Sequence, residues 1–251
     1  MKKLILFSLL VFFVTNLRSQ DPLLFEEPVP VEDRDFRIPL IGEQAPAFTA
    51  QSTNGEIKFP DEYGSSWKIL FSHPQDFTPV CTTELLELAN LQDQFDKLGV
   101  KVVALSTDRL STHELWKTAM EGLLYKNKKS VKIDFPLVDD EKLTISKQYG
   151  MIHPESNTTR DVRGVFIIDP DNIIQAISFY PMTVGRNTDE LLRTVTALEK
   201  TQSDNVLTPA NWKAGEDVLV PYLPNSSATE KELAAEGLYD LTWFMWYKKA
   251  E

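Results

Sequence analysis

The residue types best suited to chemistry lie close together in the run HPQDFTPVCTTE, at residues 73–84. The apolar run before it predicts a strand over residues 67–72, and apolar residues at helical spacing predict a helix over residues 81–98 that begins at Cys81. A thiol in the first helical turn lies among unpaired backbone N–H groups at the positive end of the helix dipole. Both effects stabilise a thiolate, so this placement predicts a nucleophilic cysteine.

The loop before Cys81 carries groups that could assist such a thiolate. Thr78 places a hydroxyl three residues before the cysteine, where it could hydrogen-bond the sulfur or a substrate oxygen. Pro74 and Pro79 stiffen the loop and could shield the sulfur from bulk water. In the alternative interpretation, a lone cysteine in a secreted protein is a buried, inert hydrophobic residue. The position between a strand and a helix favours the chemical interpretation.

Cys81 is the single cysteine among 251 residues. This count excludes an internal disulfide, a CxxC redox motif and any zinc site built on two or more thiolates. Three histidines, His73, His113 and His153, leave few options for a metal site, and we expect neither a metal nor a cofactor. A net charge of -11 argues against nucleic acid as the main partner, because phosphate binding needs an excess of Lys and Arg.

From about residue 41 the sequence alternates between strand patterns and helix patterns. The strand patterns lie at residues 67–72, 100–106, 135–138, 164–168 and 173–180. The helix patterns lie at residues 81–98, 112–125, 140–149 and 188–201. Ser111 is the predicted N-cap of the second helix, and Asn187 or Thr188 that of the last. The alternation predicts an α/β, three-layer fold whose central sheet is mixed, parallel in part and antiparallel on one side.

The pattern changes after about residue 203, where prolines interrupt it and aromatic residues become frequent. The aromatic residues are Trp212, Tyr222, Tyr239, Trp243, Phe244, Trp246 and Tyr247. We interpret this segment as a small C-terminal α+β domain. So many aromatic side chains need a surface to bury against, and a partner subunit is one candidate for that surface.

The pattern Pro74-x-x-x-Thr78-x-x-Cys81 resembles the active-site signature of the peroxiredoxins, the alkyl hydroperoxide reductase and thiol-specific antioxidant family. The longer run FSHPQDFTPVCTTE, at residues 71–84, is similar to that of their one-cysteine subgroup. Arg163, in the run DVRGVFIIDP, resembles the site arginine of the same family. These matches are specific and do not depend on one motif alone.

Two further segments extend the resemblance. The residues YP at 180–181, followed by GRN at 185–187, resemble a second family segment. The run WKAGE at residues 212–216 resembles the start of the C-terminal domain of the one-cysteine group. The similar segments cover roughly residues 40–220. The resemblance implies a thioredoxin-like fold with a C-terminal extension and, together with the aromatic tail, a homodimer.

The resemblance implies a thiol peroxidase in which the Cys81 thiolate attacks a peroxide oxygen and becomes a sulfenic acid. Arg163 would supply positive charge near the thiolate and the peroxide, and Thr78 would hold the peroxide by hydrogen bonds. Glu84, one turn beyond Cys81, could orient Arg163, and Arg186 could join that network. In the alternative interpretation, Glu84 is an ordinary acidic residue favoured by the helix dipole, and Arg163 is a surface charge.

The sequence departs from most peroxiredoxins because it has no second, resolving cysteine. The mechanism is therefore expected to use one cysteine and an external thiol reductant, with hydrogen peroxide or alkyl hydroperoxides as substrates. A non-enzymatic redox sensor or interaction module on the same fold is the alternative, and an inert structural relative is a third. The joint presence of Pro74, Thr78, Cys81 and Arg163 favours the enzyme.

Residues 1–19 read as a secretory signal peptide, with two lysines followed by an apolar run that is too short to span a bilayer. Cleavage near Ser19 or Gln20 would place the mature protein outside the cytoplasm, most simply in a bacterial periplasm, without stable membrane insertion. The alternatives are an uncleaved N-terminal anchor and a cytoplasmic protein. The remaining expected divisions are a leader at residues 20–39, a thioredoxin-like domain at 40–203 and a C-terminal extension at 204–251.

Overall fold

The computed structural model describes residues 36–127, 130–156, 158–222, 224 and 228–250. The predicted signal peptide and the leader up to residue 35 lie outside the described residues. Within the described ranges, no helix combines the length and the apolar character that crossing a membrane requires.

A seven-stranded mixed sheet forms the centre of the described chain. Its strands are β1 (Phe48–Ser52), β2 (Gly55–Phe59), β3 (Trp67–Ser72), β4 (Val100–Ser106), β5 (Leu137–Asp139), β6 (Arg163–Ile168) and β7 (Ile174–Tyr180). Their order across the sheet is β2-β1-β5-β4-β3-β6-β7. Strands β3, β4 and β5 are parallel, and every other neighbouring pair is antiparallel. This arrangement confirms the predicted mixed sheet.

Helices cover both faces of this sheet. They are α1 (Pro79–Lys97), α2 (Leu110–Glu121), α3 (Thr144–Gln148) and α4 (Thr188–Asp204). One core cluster joins α1, α2 and α4 to one face, and a second joins α3 to the other. Side chains alternate across a strand, so Ile69 and Phe71 on β3 enter the first cluster while Leu70 enters the second. The three layers predicted from the sequence are thereby confirmed.

Several boundaries differ from the predicted ones. Helix α1 begins at Pro79 rather than at Cys81, because a proline fits the first helical position, where its missing N–H is not needed. Helix α2 begins at Leu110, so its N-cap is Arg109 and the prediction of Ser111 was wrong. The hairpin of β1 and β2 was not predicted at all, although the Asn-Gly pair at residues 54–55 is typical of such turns.

A small second sheet follows α4. It contains β8 (Val218–Leu219), β9 (Leu238–Thr242) and β10 (Met245–Lys248) in the order β8-β10-β9, and the short helix α5 (Glu230–Ala235) precedes β9. Trp212 is only 3% exposed and packs with Ala197 of α4 and with Val206 and Val218. In contrast, Trp243 and Phe244, at the turn between β9 and β10, are 73% and 60% exposed. The predicted small C-terminal α+β domain is therefore present.

A buried carboxyl lies two residues before β6. Asp161 is fully buried, and neither of its carboxyl oxygens has a hydrogen-bond partner in the described part of the chain. Burial raises the pKa of this carboxyl well above its usual range against the opposing effect of the nearby Ser146 hydroxyl, and the charges of Asp140 and Asp108 raise it further. The folded chain therefore favours the neutral, protonated form of Asp161.

Candidate active site

The candidate residues meet at one edge of the central sheet. Parallel strands β3 and β4 end at this edge, while β6 runs antiparallel to β3 and begins there. Phe71 on β3 pairs with Val165 on β6, so Arg163 lies beside the residues that follow β3. Those residues form the loop that leads into α1 and Cys81. The topology therefore brings together two side chains that are 82 positions apart in the sequence.

Cys81 is the third residue of α1 and is fully buried. Thr78 is the N-cap with an extended backbone, and Pro79 follows at the first helical position. The first turn of a helix has N–H groups without intrahelical partners, and these groups form the positive end of the helix dipole. The sulfur thus lies where a negative charge is stabilised, as the sequence predicts.

The guanidinium of Arg163 lies against this sulfur. Its Nη1 atom is 3.2 Å from Cys81 Sγ and also donates to Glu84 Oε2 at 2.7 Å. Its Nε and Nη2 atoms donate to the carbonyl of Met182 at 3.0 and 2.5 Å. Contacts on both sides hold the guanidinium in one orientation. A fixed positive charge beside the sulfur favours the thiolate. It also stabilises negative charge that develops on the oxygen of a bound substrate.

Glu84 joins Arg163 to a second arginine. The backbone N–H and the Nε of Arg186 each donate to Glu84 Oε1 at 2.8 Å, and Arg186 Nη2 donates to Oε2 at 2.8 Å. Arg186 also donates to the carbonyl of Gly164 at 2.9 Å, and its guanidinium carbon lies 3.3 Å from the centroid of the Phe71 ring. The side chains of both arginines and of Glu84 are almost completely buried.

The carboxyl of Glu84 remains ionised in this environment. Burial alone would raise its pKa, but hydrogen bonds and charge from Arg186, together with the charge of Arg163, hold that pKa below its usual range. A carboxylate between two guanidinium groups satisfies donors that would otherwise be buried without partners. Glu84 is therefore the residue that fixes the relative position of Arg163 and Arg186.

Thr78 and Pro74 lie in the loop over this cluster. The Thr78 hydroxyl donates to the carbonyl of Gln75 at 2.8 Å, so its proton is directed to the backbone rather than to the sulfur. The oxygen of this hydroxyl can then act on a substrate only as a hydrogen-bond acceptor. Pro74, in the same loop, is buried.

A buried cluster of two histidines and one aspartate, two of them in this loop, was not predicted. His73 Nε2 lies 2.9 Å from Asp76 Oδ1, and His113 Nδ1 lies 2.7 Å from Asp76 Oδ2. His113 Nε2 lies 3.0 Å from the carbonyl of Val138. The spacing of His73 and Asp76 was visible in the sequence, but no local signal connects either of them to His113 on α2.

The same three side chains are of types that can bind metal ions, and their nearest donor atoms lie within 4.8 Å of one another. Their direct contacts of 2.7 and 2.9 Å have the length of hydrogen bonds with a proton between the two atoms. We therefore describe the group as a hydrogen-bonded cluster.

Comparison with known families agrees with this geometry. Residues 41–177 match the AhpC/TSA family, and residues 197–233 match the C-terminal domain of 1-Cys peroxiredoxin. A peroxiredoxin of Methanosarcina mazei is 46% identical over 215 residues, which are 84% of this chain and 98% of that protein. A peroxiredoxin of Thermotoga maritima is 41% identical over 217 residues, covering 85% of this chain and 98% of that protein.

Two solved structures share the fold. A yeast mitochondrial 1-Cys peroxiredoxin is 37% identical with a TM-score of 0.72, covering 85% of this chain and 100% of that one. A mutant of peroxiredoxin 6 of Arenicola marina is 33% identical with a TM-score of 0.72, covering 84% of this chain and 98% of that one. With its thioredoxin-like fold, single cysteine and matching family segments, this chain belongs to the AhpC/TSA family and is a peroxiredoxin, a thiol-dependent peroxidase.

Proposed function

We propose that Cys81 is the peroxidatic residue and that it reduces hydrogen peroxide and organic hydroperoxides. The observation that carries this proposal is the contact of 3.2 Å between Arg163 Nη1 and the sulfur of Cys81 in the first turn of α1. The helix terminus and the guanidinium of Arg163 both stabilise a thiolate, which is the reactive form of a cysteine. The surrounding burial excludes bulk water from the sulfur.

The proposed step transfers one oxygen atom. The Cys81 thiolate attacks the distal peroxide oxygen, a sulfur–oxygen bond forms, and the oxygen–oxygen bond breaks. The cysteine becomes a sulfenic acid, and the alkoxide or hydroxide takes a proton from solvent once it has left the buried site. Arg163 stabilises the negative charge as it moves from sulfur to the leaving oxygen. In our proposal the oxygen of Thr78 accepts a hydrogen bond from the peroxide O–H, and Pro74 shields the sulfur.

Glu84 and Arg186 have supporting roles in this proposal. Glu84 receives hydrogen bonds from both arginines, so it orients Arg163 without touching the peroxide. Arg186 completes the charge balance around the carboxylate and is itself held by the ring of Phe71. Two guanidinium groups, one carboxylate and one thiolate leave this buried cluster without net charge.

Regeneration of Cys81 requires a reductant from outside the chain. The chain has one cysteine, so the sulfenic acid has no internal thiol with which to form a disulfide. We propose that one external thiol forms a mixed disulfide with Cys81 and releases water, and that a second thiol then releases the Cys81 thiolate. Full burial of the sulfur favours a small thiol over a large protein for the first of these steps.

The peroxidase proposal predicts fast, stoichiometric oxidation of Cys81 by hydrogen peroxide, measured by stopped-flow spectroscopy and by mass spectrometry of the sulfenic acid. Cys81→Ser should abolish the reaction. Arg163→Ala should slow it by about 10²–10³-fold, as expected for the loss of one preorganised donor at a developing negative charge. Arg193→Ala, which removes an arginine paired with exposed Glu190, is the matched control and should react at the wild-type rate.

Oxidation at the rate of a free thiol in water would contradict the proposal and would favour a non-enzymatic module. Equal rates for Arg163→Ala and the wild type would remove Arg163 from the reaction.

Glu84→Gln should affect both stability and reactivity. The variant leaves two buried guanidinium groups without their carboxylate, so the free energy of unfolding should fall by about 3–5 kcal/mol. Oxidation of Cys81 should slow by about tenfold or more, because Arg163 loses its orientation. Glu190→Gln breaks an exposed pair and should cost less than about 1 kcal/mol in chemical denaturation. If Glu84→Gln keeps the wild-type stability and the wild-type rate of Cys81 oxidation, the carboxylate does not position Arg163.

We also propose that the protein is exported after cleavage near Ser19 or Gln20, and that domain boundaries lie near residues 40 and 204. The second boundary coincides with the end of α4 at Asp204. Expression of the full chain in a bacterium should yield a periplasmic protein whose intact mass lacks residues 1–19. A protein of full mass, in the cytoplasm or fixed to the membrane, would refute export.

A homodimer is the final part of the proposal. Tyr222, Leu241, Trp243 and Phe244 expose large apolar surfaces in the C-terminal extension, and such surfaces are commonly covered by a partner. Sedimentation velocity of the full chain should give twice the monomer mass. Trp243→Glu should shift the equilibrium toward monomer, whereas Leu124→Glu, at an equally exposed apolar position outside the extension, should not. A monomeric wild type at micromolar concentration would disprove this assembly.

A further inference from the structure

The loop that covers Cys81 is anchored through Asp76, which lies two residues before Thr78. The carboxylate of Asp76 contacts His73 at the end of β3 and His113 on α2. Its backbone N–H donates to the carboxylate of Asp108, after β4, at 2.8 Å. Asp76 therefore joins the loop to three separate elements of the domain.

Asp76 is ionised in the folded protein. Burial alone would raise the pKa of this carboxyl, but hydrogen bonds from His113 and His73 hold it below its usual range. A carboxylate can only accept hydrogen bonds, so each of its two oxygens needs a proton from the imidazole that it faces. Both His73 Nε2 and His113 Nδ1 must therefore carry protons.

His73 is the neutral member of the cluster. Full burial lowers the pKa of its imidazole, against the opposing effect of its hydrogen bond to Asp76. Its Nδ1 atom is buried and has no hydrogen-bond partner among the described residues. An imidazole that donates through Nε2 and keeps a bare lone pair on Nδ1 fits both observations.

His113 faces a hydrogen-bond acceptor on each of its two ring nitrogens. Its Nδ1 faces the carboxylate of Asp76, and its Nε2 faces the carbonyl of Val138 at 3.0 Å. Both of these partners accept hydrogen bonds and neither can donate one. Only an imidazolium, with a proton on each nitrogen, satisfies both contacts. In that form Asp76 and His113 make a fully buried ion pair between the loop and α2.

We infer that Asp76 and His113 are positioning residues that hold the loop at residues 73–78 in the conformation that the structure shows. The contacts of His113 connect three elements. Asp76 lies in the loop, His113 lies on α2, and Val138 lies on β5. The loop carries Pro74 and Thr78, and the Thr78 hydroxyl is bonded to Gln75 directly beside Asp76.

This inference rests on the proposed function of Cys81, because the loop matters for reactivity only if Cys81 reacts with peroxide. The ion pair touches neither the sulfur nor the substrate. It acts through the loop, which brings the Thr78 oxygen to the place where the peroxide binds. Loss of the pair should therefore loosen the loop and slow oxidation while Arg163 and Glu84 keep their contacts.

The protonation states give a direct test on the unmodified full chain. With ¹⁵N-labelled histidine at neutral pH, His113 should show two protonated ring nitrogens with the chemical shifts of an imidazolium. His73 should show one protonated nitrogen, Nε2, and one bare nitrogen, Nδ1. In Asp76→Asn, His113 should become neutral, because its charged partner is gone. A neutral His113 in the wild type would overturn the inference.

The functional consequence is measured on the same variant. Asp76→Asn should slow Cys81 oxidation by about tenfold or more, and amide exchange at residues 75–78 should accelerate. The double variant Asp76→Asn with His113→Asn should slow oxidation by less than the product of the two single-variant factors, since both substitutions remove the same interaction. Thr196→Ala is the control, because it removes a half-buried hydroxyl bonded to the carbonyl of Leu192 within α4, outside the loop, and should leave loop exchange and oxidation unchanged.

Wild-type oxidation and loop exchange in Asp76→Asn would refute a positioning role even if His113 proves to be charged. If the wild-type protein itself oxidises only at the rate of a free thiol, the proposed function fails. The histidine spectra and the loop exchange would still decide whether the ion pair holds the loop.

Discussion

Burial of ionised side chains without loss of stability is the constraint on which this structure depends. A guanidinium or carboxylate removed from water is costly unless a partner of opposite charge and correct geometry is present. Glu84 meets this condition for Arg163 and Arg186 at once, at 2.7 to 2.8 Å. The result is a positive charge held at the sulfur of Cys81 in the buried interior of the domain.

The fold supplies the partners for this cluster from three separate places. Helix α1 contributes Cys81 and Glu84 one turn apart, and the start of β6 contributes Arg163. Arg186 comes from the segment before α4, and the carbonyl of Met182 comes from the same segment. The antiparallel pairing of β3 with β6 brings these places together at one edge of the sheet. A shift in that pairing would separate Arg163 from the thiol.

The sequence predicted the parts of the site that have local signals. Cys81 after a strand, a proline loop and a helix start could be recognised from spacing alone, and the resemblance added Arg163, Glu84 and Arg186. The contact of Asp76 with His113 could not be predicted, because the two residues lie 37 positions apart and meet only through the packing of α2. The N-terminal hairpin was missed although its turn residues were visible, because its strands are short and mostly polar in sequence.

The buried carboxyl of Asp161 makes folding a proton-coupled reaction. A raised pKa in the folded state means that the native chain holds a proton that the unfolded chain has released, so the contribution of Asp161 to stability falls as pH rises. His73 behaves in the opposite way: its lowered pKa reduces stability as pH falls below the ordinary value of 6.5. Refolding near neutral pH therefore exchanges protons with the buffer, and the calorimetric enthalpy of unfolding will depend on the ionisation enthalpy of the buffer chosen.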